Sequence, residues 1–116
     1  MADKLVIHKL AATCRLGVSD WEQATAQDVW IDLELEVDAA KAARQDDVRG
    51  AVDYARLVTT VRQLVEGKPY HLLETMAEEI AALVLKEFTT PEVEVKVTKR
   101  ALPGIDYAAV EITRKR

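Results

Sequence analysis

Cysteine is almost missing from this chain. Cys14 stands alone among 116 residues, so no internal disulfide can form. Histidine is scarce as well: His8 and His71 are isolated, and without a second cysteine or a clustered histidine pair there is no ligand set for structural zinc. No apolar run is long enough to span a bilayer, and no charged-then-apolar signal segment begins at Met1. The expectation is therefore a soluble protein of the cytoplasm. Basic excess is also lacking. The net charge is -4 with acidic and basic residues interspersed, which excludes a broad nucleic-acid surface. There is no internal repeat, low-complexity stretch or linker, and the length suits one domain with a real core and is too short for two. Residues 1–116 are read as a single domain.

The hydrophobic residues that are present are patterned. From Val29 to Asp38, Val29, Ile31, Leu33, Leu35 and Val37 share one face, and Trp30, Asp32, Glu34, Glu36 and Asp38 the other, the period of a half-buried strand. Leu5 to Arg15 is a weaker strand without strict alternation, joined to the first by a loop from Leu16 to Asp28. Tyr54, Leu57, Val58, Val61, Leu64 and Val65 predict an amphipathic helix, ended by Gly67 in a left-handed conformation and by Pro69. A second helix runs from about Leu72 to Phe88, with Leu73, Met76, Ala77, Ile80 and Val84 on its apolar stripe. Val93, Val95 and Val97 mark a third strand. Tyr107 to Arg114 forms a fourth after the break at Pro103 and Gly104. The expected fold is α+β in β-β-α-α-β-β order: a four-stranded antiparallel sheet with both helices on one face. The other face is polar and both edges are open. Pairing between copies would close a ring whose lumen receives Asp32, Glu34, Glu36 and Lys96, and a monomer with charged edges also fits this pattern.

Four residues stand out. Glu74 lies in the first turn of the second helix beside the apolar stripe. There it either complements the helix dipole or offers its two oxygens to a ligand with two adjacent N–H donors. Glu22 sits in the DWEQ segment, where a solvated loop acid is the simpler reading. Tyr54 opens the first helix at a stripe position, its ring in a core or an interface. Lys99 follows the parity of Val93, Val95 and Val97 and leans toward the helix-covered side. Partial desolvation there would ease proton transfer, and a strand-end lysine that snorkels to water is the alternative.

Read together in order, several segments resemble the dihydroneopterin aldolases of folate biosynthesis, within the tunnelling-fold group of pterin and purine enzymes. They are LGVSDWEQ (Leu16 to Gln23), IDLELEVD (Ile31 to Asp38), the Asp46–Asp47 pair, DYA (Asp53 to Ala55), LLETMAEEIA (Leu72 to Ala81) and VKVTK (Val95 to Lys99). The resemblance implies that Glu74 holds the 2-amino and N3 edge of a pterin, with backbone groups near Leu73, Val52 and Asp53 completing that edge. It makes Lys99 the acid-base centre, Glu22 the group that orients the lysine or the substrate hydroxyls, and Tyr54, from a neighbouring subunit, a catalytic help in delivering a proton to the enamine. Asp46 and Asp47 are read as structural, a turn or helix-entry cap.

The same resemblance implies a homo-oligomer, a tetrameric barrel stacked into an octamer, with sites between subunits. It also implies retro-aldol cleavage that needs no metal or bound cofactor, because the N5=C6 imine of the dihydropterin is its own electron sink. One departure is visible: Arg100 follows Lys99 where proline is usual, and the connection from Ala101 to Ala108 carries its proline later. An epimerase acting on dihydroneopterin or its triphosphate is the runner-up, and a catalytically silent pterin-binding oligomer is the reading from another class.

Overall fold

Alternation decides the central layer. The structure, a computed structural model, describes residues 3–100 and 103–116. Its four strands are β1 (Asp3–Cys14), β2 (Gln27–Val37), β3 (Glu92–Arg100) and β4 (Tyr107–Lys115), paired antiparallel in the spatial order β1-β2-β3-β4. Val29, Ile31, Leu33 and Leu35 of β2 and Val93, Val95 and Val97 of β3 are fully buried on one face. Each such side chain contributes roughly 1.5–3 kcal/mol by leaving water. Ala101 and Leu102, which open the connection to β4, lie outside the described residues.

The long helices α3 (Tyr54–Glu66) and α4 (Leu73–Glu87) cover that face. Leu57, Val61 and Val65 of α3 and Met76, Ala77, Ile80, Ala81 and Val84 of α4 are buried against it. Helix α3 packs over β1, whereas α4 packs over β3 and β4. Asp53 caps α3 by accepting from the backbone N–H groups of Ala55 and Arg56 at 3.1 and 3.3 Å. Gly67 departs from expectation. It ends α3 with right-handed angles (φ -82°, ψ -17°), and its N–H reaches the Leu64 carbonyl at 3.3 Å. The helix closes by a tightened last turn, so Pro69 rather than a left-handed glycine forbids continuation.

Two short helices break the expected β-β-α-α-β-β order. Helix α1 (Asp20–Ala24) lies between β1 and β2, and α2 (Ala39–Gln45) with a 3-10 turn (Val48–Gly50) precedes α3. Asp46 is the left-handed C-cap of α2 at φ 47°, and Asp47 caps the 3-10 turn and pairs with Arg49 at 2.6 Å. Strand β1 lacks clean alternation because its register slips between Ile7 and Leu10, with Lys9 at φ 56°. Leu5 and Ile7 face the core before the bulge. After it, Leu10, Ala12 and Cys14 do. Asp32 of β2 pins the bulge, accepting from the Lys9 N–H at 2.8 Å with His8 Nδ1 also at 2.8 Å.

The open face of the sheet is polar. Glu34 and Glu94 stand directly opposite each other on β2 and β3, and Lys4 Nζ lies 3.9 and 3.8 Å from their carboxylates. Like charges in register repel. A hydrogen bond with the Glu34 carboxyl first, then desolvation and the Glu34 charge, hold Glu94 above the usual carboxylate range, with Lys4 opposing.

Candidate active site

Lys99 sits opposite Val29 near the end of β3, and only 16% of its side chain is exposed. Parity points it to the helix-covered side, where its ammonium meets the Glu22 carboxylate at 2.9 Å and the Leu16 carbonyl at 3.5 Å. Glu22 is the third residue of α1 in a capping box. Its N–H donates to Ser19 Oγ at 3.1 Å, while its Oε1 accepts from the Ser19 N–H at 3.4 Å and hydroxyl at 3.2 Å. One carboxylate oxygen is thus tied to the cap and the other to Lys99. The Lys99 ammonium, with help from Ser19 and against partial burial, holds the Glu22 carboxyl below the usual range. The pair is an ammonium facing a carboxylate, separated by 77 positions in the chain.

A strap joins this pair to the opening of α4. Leu16 forms a parallel bridge with Tyr70. The Tyr70 N–H donates to the Arg15 carbonyl at 2.8 Å, and the Tyr70 carbonyl accepts from the Gly17 N–H at 3.0 Å and from Gln23 Nε2 at 2.8 Å. The Tyr70 ring is buried, and its hydroxyl donates to Glu79 at 3.0 Å. Burial first, and the Glu79 carboxylate second, raise this phenol well above its ordinary range. Four residues further on, Glu74 stands exposed in the first turn of α4, and no side-chain cap closes that helix start. Leu73, partly buried, packs against the core. Cys14, at the end of β1, lies beneath the same corner, its thiol pushed up to about 11 by burial and by Glu66, with Lys99 opposing.

The remaining expected residues lie elsewhere. Arg56 of α3 reaches the Glu87 carbonyl and carboxylate at 3.4 Å and stacks its guanidinium 4.5 Å from the Phe88 ring centroid. The start of α3 therefore sits beside the end of α4. Fifteen helical residues separate the two ends of α4, which is about 22 Å at 1.5 Å per residue. Val52, Asp53 and Tyr54 are thus at the far end from Glu22, Leu73, Glu74 and Lys99. Tyr54 is not in the core: it is 62% exposed.

Three groups that the sequence reading passed over complete the corner: Ser19, Gln23 and Tyr70. The S-x-x-E spacing of Ser19 and Glu22 is a helix-start signal that locates α1. Gln23 and Tyr70 act through backbone carbonyls, which leave no sequence pattern. Among the described residues, no group of three or more histidine, cysteine, aspartate or glutamate side chains could hold a metal ion, and no described helix is long and apolar enough to cross a membrane.

Comparison with known proteins shows the family. The family model FolB: Dihydroneopterin aldolase covers residues 5–113. The dihydroneopterin aldolase of Escherichia coli strain K12 is 40% identical over 110 residues, 95% of this chain and 88% of the relative. That of Methylorubrum extorquens strain AM1 is 38% identical over 120 residues, 100% of this chain and 92% of the relative. Among solved structures, Escherichia coli dihydroneopterin aldolase in complex with neopterin superimposes with a TM-score of 0.93 at 38% identity, covering 97% of this chain and 98% of that one. The Burkholderia thailendensis dihydroneopterin aldolase bound to guanine gives a TM-score of 0.83 at 29% identity, covering 99% and 92%. A uricase from Bacillus fastidious, 10% identical with a TM-score of 0.64, shares the fold alone, over 100% of this chain and 44% of its own. On the strength of the matched segment and these relatives, the chain belongs to the dihydroneopterin aldolase family.

Proposed function

We propose that this chain is a lyase that cleaves 7,8-dihydroneopterin into 6-hydroxymethyl-7,8-dihydropterin and glycolaldehyde. The observation that carries the reading is the half-buried Lys99–Glu22 pair at 2.9 Å, strapped through Tyr70 to the helix start that bears Glu74.

Lys99 serves as the proton carrier for the side-chain hydroxyls: as the neutral amine it takes the 2′-hydroxyl proton, and as the ammonium that Glu22 fixes it returns one. Removal of the 2′-hydroxyl proton makes a carbonyl at C2′, breaks the bond between C1′ and C2′, and sends the electron pair into the N5=C6 imine. Glycolaldehyde leaves. The resulting enamine takes a proton at C1′ and re-forms the imine as the hydroxymethyl product. Positioned acid-base groups of this kind contribute roughly a hundred- to ten-thousand-fold each. Glu74, exposed and without a cap to serve, offers its two oxygens to the 2-amino and N3 donors of the ring. The uncapped backbone at Leu73 lies within the same turn.

Tyr54, Asp53 and Val52 enter the site from a neighbouring subunit in this reading. Their place at the opposite end of the helix pair supports it, since one chain does not assemble both halves. A tetrameric ring stacked into an octamer satisfies this sharing and encloses the polar sheet face.

Incubation of the purified protein with 7,8-dihydroneopterin, and separately with its triphosphate, followed by product separation, tests the proposal. Glycolaldehyde release names the aldolase. Recovery of only the side-chain epimer would assign the related epimerase, in which the enamine re-adds to the aldehyde, and Arg100 beside Lys99 would then be examined for phosphate contact. Tight pterin binding without turnover would leave a binding protein.

A further inference from the structure

The short helix that carries Glu22 has little to hold it. Helix α1 spans five residues and none of them is buried. A segment of that length is unstable alone, and it has no apolar face to anchor it. Its placement falls to polar contacts: Glu22 reaches Lys99, and Gln23 reaches the strap. Gln23 Nε2 donates to the Gly17 carbonyl at 2.6 Å and to the Tyr70 carbonyl at 2.8 Å, so both hydrogens of the amide are used on two different segments. Gln27 supplies a neighbouring bond to the Leu16 carbonyl at 2.5 Å.

The tolerance at this point is small. Gly17 adopts φ +143°, and a Cβ built there would fall on the carboxyl group of Glu22. The Glu22 carboxylate therefore fills the space that a side chain at position 17 would take. Gln23 follows it directly in sequence and turns toward the strap, while Glu22 turns toward the lysine.

We propose that Gln23 is a positioning residue for the reaction: its amide clasps α1 to the Tyr70 strap and so holds the Glu22 carboxylate in register with Lys99. The proposal rests on the aldolase reading for its kinetic consequence, and on geometry alone for its structural one. A displacement of about 1 Å at such a pair lowers turnover by roughly a hundredfold.

Two variants in the assembled enzyme test it. Gln23→Ala removes the amide, and Gln23→Met keeps the length and packing while removing both donors. The expected result is a kcat for 7,8-dihydroneopterin lowered about ten- to a hundredfold, with affinity for the hydroxymethyl product within about threefold of wild type. In parallel, the Glu22 carboxyl, followed by carbon NMR through a pH titration, moves up toward the ordinary carboxylate range as the ammonium is lost from its side. This second readout involves no turnover, and a bond that merely stapled the loop would leave it unmoved. If wild type fails to turn over the substrate while Glu22 still shifts in the variants, the aldolase reading fails and the positioning role stands. If Gln23→Ala does not fold, Gln23→Met decides. A folded variant with an unshifted Glu22 titration and kcat within twofold of wild type overturns the proposal.

Discussion

Glu22 divides its oxygens between the Ser19 cap and the Lys99 ammonium, so a single side chain both starts a helix and orients the proton carrier. Binding and chemistry separate cleanly at this scale. Lys99→Ala is expected to lower kcat by about a hundred- to ten-thousand-fold while product titration shows retained affinity. A near-wild-type rate would make Lys99 an ordinary strand-end lysine. Glu74→Gln turns one acceptor into a donor facing a donor, and pterin affinity should fall about ten- to a hundredfold with an unchanged melting temperature. Unaltered affinity would return Glu74 to its place beside the helix dipole. The parity of Val93, Val95 and Val97 already aimed Lys99 inward, because a strand repeats every two residues. The pairing with Glu22 lay beyond local pattern, since a separation of 77 positions is closed through contacts that no periodicity encodes. Glu22 was raised above a solvated loop acid by resemblance alone, although its capping-box spacing with Ser19 was there to be read.

Among the elements, β2 was plain in the sequence because Val29, Ile31, Leu33, Leu35 and Val37 alternate with Asp32, Glu34 and Glu36 over most of its length. Strand β1 was blurred by the bulge at His8 and Lys9, which reverses the inward parity halfway along. Helices α1 and α2 escaped notice for want of a buried stripe, neither having a buried residue. Between β2 and β3, the opposed Glu34 and Glu94 give the sheet a defined pH response. Glu94 titrates higher in the folded chain than in the unfolded one, so the folded state binds the proton more readily. Its favourable contribution is complete below the ordinary carboxylate range and is lost as the pH rises through the raised value. Glu94→Gln should therefore raise the melting temperature at pH 7 to 8, by the equivalent of a few tenths of a kcal/mol, and the gain should vanish in acid. A gain equally large at pH 4 would mean that the repulsion is not its source.

At the scale of the whole molecule, the helix pair keeps Tyr54 and Glu74 about 20 Å apart, and a site that uses both needs two chains. Mixing inactive Tyr54→Ala and Glu74→Ala subunits under exchange should restore activity in about a quarter of the interfaces, those that draw an intact residue from each chain. Light scattering should report a mass far above that of one chain. No recovery despite proven exchange, or a fully active monomer, would sink the shared site. The buried thiol beneath the Lys99 corner extends this to motion. Cys14 is the single cysteine in the chain, 4% exposed and shifted to about 11, so an alkylating reagent at neutral pH finds almost no thiolate and no path to it. Labelling must wait for that corner to open, which makes its rate a clock for local unfolding. A bound pterin that closes the corner should slow the clock in proportion to its occupancy, reporting ligand capture through a residue of the chain itself.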